Sequence, residues 1–177
     1  VLTRIGAAPA RGGAVELLVD CHARIRHFAG LAARLAAQEA AAPAEVAEAA
    51  GAVARYFTEA LPLHARDEEE SIVPRLRGRE PALDAALDVM QREHGEHGAP
   101  LARVIAACRV LTGAPGRLAE LAPALSRDTA FLVRHFDAHL ANEEEAIFPA
   151  LRRLLGPEED AALAAEIRAR RAPAAGR

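Results

Sequence analysis

The chain writes one motif twice. HARDEEESIVPRLR fills residues 64 to 77, and HLANEEEAIFPALR fills residues 139 to 152, an offset of 75 positions. Each copy sets a histidine four residues before a glutamate, with a proline six residues beyond it. The same offset carries His22 onto His97, so the intervals from His22 to His64 and from His97 to His139 are both 42 residues. One such match could be chance, but several in register imply a duplicated helical hairpin folded with internal pseudo-twofold symmetry. Few folds meet that demand.

The periodicity says which one. Alanine makes up about a quarter of the chain, Trp is absent, and Leu, Glu and Arg dominate the rest, all strong helix formers. Residues 1–13, with Pro9, Gly12 and Gly13, read as a loose arm. A first helix over about 14–40 carries Leu18, His22, Ile25, Ala29 and Ala32 on one side. Pro43 suits the first position of a second helix, whose inward residues are Val46, Val53, Phe57, Leu61, His64, Glu68 and Ile72. Pro62 predicts a kink one turn before His64. The third helix runs from Pro81 to about Leu111, with Met90, His94, His97, Leu101, Val104, Cys108 and Leu111 at alternating steps of four and three. A fourth spans about 117–155, and Gly156-Pro157 restarts a short helix. The expected fold is all-α: an antiparallel up-down four-helix bundle over 14–155, with a short extra helix and tail in 156–177.

Several functions are disfavoured. The net charge is −3 and no basic tract precedes Arg168, Arg170, Arg171 and Arg177, so nucleic-acid binding has no footprint. Two cysteines, Cys21 and Cys108, make neither a disulfide framework nor a thiolate metal site, and both read as buried thiols. No long uncharged apolar run or leader-like start is present, so we expect a cytoplasmic protein with no membrane partner. Exposed apolar positions on helices 1 or 4 would allow a homodimer without fixing one.

Residues at i and i+4 share a helix face. His64 with Glu68, and His139 with Glu143, can therefore point inward together, joined by His22 and by His94 or His97. About six nitrogen and oxygen donors then meet inside the bundle. That set is too rich for a structural zinc site and too nitrogen-rich for calcium or magnesium. It suits iron, with manganese or zinc as lesser alternatives. Two glutamates can also bridge two ions roughly 3–4 Å apart. A lone histidine on an apolar face is more often a satisfied core or rim residue than a ligand, and we assign His27 that way because it leaves the His22 stripe. Glu69, Glu70, Glu144 and Glu145 read as solvated residues or outer hydrogen-bond partners, as do Asp67 and Asn142. His135, one turn before His139, is a further ligand, a proton-handling neighbour or core; Tyr56 is packing or a hydrogen-bond donor. For the duplicated pairs the balance reverses, because burying them without metal is costly and gains nothing.

Four stretches in order, DCHARI, HARDEEESIVP, REHGEH and HLANEEEAIFP, resemble the bacterial hemerythrin-like (HHE cation-binding) family over about residues 15–155. The resemblance implies a four-helix bundle with two non-haem iron ions, bridged by oxo or hydroxo, held by His22, His64, Glu68, His94, His139 and Glu143. The family pattern favours His94 where the repeat favours His97, and both stay candidate ligands. The fourth helix has His-x3-Glu where the oxygen carriers have His-x4-Asp, and these 177 residues include no stretch like the cysteine-containing domain of the iron–sulfur-repair relatives, so that role is not the one expected. The functional expectation is a protein that binds or senses O2 or nitric oxide. An iron store or buffer with a closed site, a diiron peroxidase or oxygenase, and a metal-free interaction bundle are the alternatives.

Overall fold

The computed structural model describes residues 12–38 and 41–172, so most of the expected N-terminal arm lies outside the described residues. Helices make up nearly all of it, with no strand among the described residues. We number them α1 (Ala14–Ala36), α2 (residues 43–76), α3 (Pro81–Gly113), α4 (residues 118–154) and α5 (Pro157–Arg171). Proline opens α2, α3 and α5, where its missing N–H costs nothing. The Glu45 carboxylate accepts from the free N–H of Ala42, and Glu159 does the same for Gly156. The turn after α2 needs Gly78, at φ +79°, the one positive φ among the described residues.

α1 packs against α2 and α4, and α3 packs against α2 and α4. Partners run in opposite directions. On α1 and α4, Glu16 meets Arg152 while His22 meets Glu143; on α3 and α4, Glu93 meets His139 while Arg103 meets Asp128.

The ladder departs from the expected pattern at three places. π-helical turns occupy Tyr56–Ala60, Glu68–Ile72 and Glu143–Ile147, each closed by an N–H reaching back five residues, and each ending two residues before a proline. Proline removes a donor and its ring crowds the carbonyl four residues back; widening the helix for one turn accommodates both. Where the spacing predicts a kink at Pro62, the helix opens into such a turn. The other two begin at Glu68 and Glu143.

Apolar side chains fall into two cores. One gathers Ile25, Phe57, Leu111, Leu132 and Phe136; the other gathers Leu18, Leu76, Leu87, Phe148, Leu163 and Ile167. Along each long helix the polar residues of interest sit between the stretches that feed these cores. α5 completes the second core and is tied to α2 by a buried ion pair: Asp67, fully buried, accepts from Arg170 at 2.9 Å and from Arg171.

Candidate metal centre

Helices α1, α2 and α4 deliver His22, His64, His139, Glu68 and Glu143 to the middle of the bundle, each at most 3 % exposed. His94 is half-buried beside them. Their donor atoms form two groups within which all lie inside 4.8 Å of one another: His22, His64, Glu68, Glu143, and Glu68, His94, His139, Glu143.

The two carboxylates belong to both groups, and each divides its oxygens between them. Glu68 presents Oε1 to His64 Nε2 at 2.9 Å and Oε2 to His94 Nε2 at 3.1 Å. Glu143 presents Oε2 to His22 Nε2 at 2.9 Å and Oε1 to His139 Nε2 at 2.8 Å. Some of these contacts are short without being hydrogen bonds. His64 Nε2, both oxygens of Glu68 and Oε1 of Glu143 are buried with no partner in hydrogen-bond geometry. These buried donors crowd together without hydrogen-bonding one another, a condition that a shared cation would relieve. The spacing is also right, since ligands at right angles on one ion with bonds of about 2.1 Å lie about 3 Å apart. The residues therefore fit two cations with two shared carboxylates.

Electrostatics agree. Burial alone would raise the Glu68 carboxyl, but the His64 charge holds it well below its ordinary value. Burial would lower His139, yet Glu143 and Glu68 push it up to about 9; His64 is likewise raised, chiefly by Glu68. Without metal, protons stand in for cations. Placing two carboxylates here costs several kcal/mol each unless positive charge accompanies them, more than the ~2 kcal/mol a buried leucine returns.

The outer nitrogens are held too. His22 Nδ1 lies 2.7 Å from Glu144, His94 Nδ1 lies 2.9 Å from Glu69, and His139 Nδ1 lies 2.9 Å from Glu93. A carboxylate there fixes ring orientation and makes the inner nitrogen a better donor. Glu69 and Glu144 thus take the outer-partner role the sequence left open, while Glu70 and Glu145 face solvent. Asp67 serves the α5 ion pair, and Asn142 donates to Ala86 O. Glu93 escaped the sequence reading because its partner lies on another helix, which no in-helix spacing announces. His64 Nδ1 has no hydrogen-bond partner, and Cys21 lies beside it on the wall of a second cavity.

Not every inward histidine joins. His97 belongs to neither group; its buried ring packs on Phe136 and His139, and burial together with neighbouring His139, His94 and His135 lowers it to about 4. His135 stacks on Phe131, and exposed His27 sits edge-on to Phe28. Both lie outside the groups.

Beside the centre lies a mainly apolar cavity of about 140 Å³. Ile25, Phe57, Leu101 and Phe136 wall it, while His64, Glu68, His94, His97 and His139 also line it. No helix among the described residues is long and apolar enough to cross a membrane.

A sequence model of the hemerythrin HHE cation binding domain matches residues 13–151. No curated protein matches the chain. The matched span includes α1 to α3 and most of α4, and stops before α5.

Proposed function

The chain belongs to the hemerythrin HHE cation-binding domain family, and from that premise we propose that it is a non-haem diiron protein that binds or senses O2 or nitric oxide. His22 and His64 would hold one ion, His94 and His139 the other, with Glu68 and Glu143 shared. The mixed imidazole and carboxylate donors favour iron over zinc or calcium. The opposed helix directions support an antiparallel up-down four-helix bundle as the scaffold.

The observation that carries the gas-binding reading is the cavity. At about 140 Å³ it has room for a diatomic molecule. It touches histidines and a glutamate from both donor groups, and its remaining walls are mainly apolar. An iron pair held there would supply the electrons and the open coordination position that such a ligand needs. The protein's own part is to hold that position dry and to keep the imidazoles aligned through Glu69, Glu93 and Glu144.

The test is iron content on protein purified without oxygen, followed by the optical spectrum before and after exposure to O2 or NO. Two irons per chain and new absorption bands that reverse on removing the gas support the proposal. Iron uptake with no spectral response to either gas favours a closed storage site. Folded protein that refuses ferrous iron would overturn the diiron reading altogether.

A further inference from the structure

Internal repeat and site geometry part company at α3. His97 is the repeat equivalent of His22, whose Nε2 meets Glu143. The matching contact with Glu68 is made by His94, three residues earlier. His97 is left over, one turn further along, with its ring 5 % exposed and its Nε2 buried without a partner. Phe136 at 4.7 Å, His139 at 5.2 Å and His135 at 6.1 Å, measured between ring centroids, hold it edge-to-face. No carboxylate touches it. A buried ring nitrogen with nothing to bond is costly and uncommon, and His97 is one of the residues that line the cavity beside the donor groups.

We propose that His97 recognises the occupant of that cavity, donating a hydrogen bond from Nε2–H to a diatomic ligand with a terminal acceptor atom, O2 or nitric oxide. The assignment rests on the gas-binding reading and adds a specificity-determining residue to it. Neutral imidazole offers one N–H, and packing against Phe136, His139 and His135 limits where that donor can be given. Oxygen and nitric oxide accept such a bond at the far atom; an apolar guest of the same size gains nothing from it. His97 acts on the ligand and leaves metal binding to the other six residues.

The test uses the full chain loaded anaerobically with ferrous iron, with nitric oxide as the probe, in wild type, His97→Phe and His97→Gln. Iron per chain, the rate of NO release and the N–O stretching frequency in H2O and D2O are recorded. We expect unchanged iron in all three, and release about tenfold faster in His97→Phe, the loss of one hydrogen bond. His97→Gln, which keeps an N–H, should recover part of that loss. The stretching frequency should shift in D2O in wild type and not in His97→Phe. Equal release rates, or no D2O shift in wild type, overturn the proposal even if His97→Phe proves unstable. Loss of iron in a folded His97→Gln would make His97 a ligand, also against it. Wild type that binds iron but no NO overturns the gas-binding reading and this assignment together.

Discussion

The two halves of the molecule, α1–α2 and α3–α4, agree at the shared carboxylates and differ in what surrounds them. Glu68 and Glu143 occupy matching positions, begin matching π turns and divide their oxygens alike. Glu69 and Glu144 also match, each holding a histidine from the other half. The symmetry then fails. Glu93 and His94 of the second half align with Leu18 and Val19 of the first, one core residue and one exposed. Both histidines of the second donor group therefore have an outer carboxylate. In the first group only His22 has one, and Arg26 binds that same Glu144 at 2.7 Å; His64 has none. The repeat supplies both shared carboxylates, and departures from it leave the two donor groups unequal.

The largest effect should come from breaking what the halves share. Glu68→Ala or Glu143→Ala removes a donor from both groups, so each should cost far more than the roughly 10–100-fold affinity that an outer partner is worth. Metal analysis after dialysis should find at most one ion per chain. Retention of two ions in either variant would show that the bridge reading is wrong.

Next is a contrast between two buried acids held by arginine. Asp67, fully buried, depends on Arg170 and Arg171 of α5, which lies beyond the family match. Replacing both arginines with alanine strands that charge next to Glu68, at a cost of about 3 kcal/mol. Asp128 on α4 is also nearly buried, but its partner Arg103 is half-exposed, so water can replace it. Urea unfolding should show a clearly larger loss for the double variant than for Arg103→Ala. Equal losses would mean that α5 is not a structural part of the centre.

The outer carboxylates test the asymmetry itself. Glu93→Gln should weaken the second position by about tenfold or more. Glu144→Gln should cost less, because that carboxylate already shares its charge with Arg26. Stepwise titration of metal-free protein with ferrous iron would resolve the two affinities, and a larger effect from Glu144→Gln would invert our ranking of the positions.

How much of this was legible beforehand follows from what kind of information each feature uses. Helices, their apolar stripes and the duplicated His–Glu pairs are written in local spacing, and the structure has them within a few residues of the expected positions. Bringing His22 or His94 to those pairs needed tertiary pairing, which the repeat predicted for His22 and misdirected at His97. Glu93 was illegible because its partner lies on α4. The π turns were missed for another reason: proline announces a disturbed ladder, yet whether the helix kinks or widens depends on packing around Glu68 and Glu143. The role of Arg170 and Arg171 was hidden because their partner, Asp67, lies on α2, about a hundred residues earlier in the chain.

The smallest effect, and the one that separates protons from metal, is in pH. In metal-free protein His139 is raised from 6.5 to about 9 and His64 is also raised, in each case against burial and by the buried glutamates. A histidine whose folded pKa lies above its unfolded value stabilises fully below the unfolded value and loses that contribution as pH rises through the folded one. Glu68, held low, contributes above its ordinary carboxylate value and loses its contribution only in acid. His97, held down to about 4, adds stability as pH rises toward 6.5, so metal-free protein should be most stable near pH 6.5, with Tm falling by roughly 5 °C toward pH 9. Bound cations replace those protons, so loading should release protons, tighten as pH rises over the same window, and flatten the profile. Glu93→Gln removes one of the groups that raise His139, so its decline should begin at lower pH. A metal-free Tm that stays level across the window would mean that the centre is held without protons, and that the buried carboxylates are compensated by something other than their histidines.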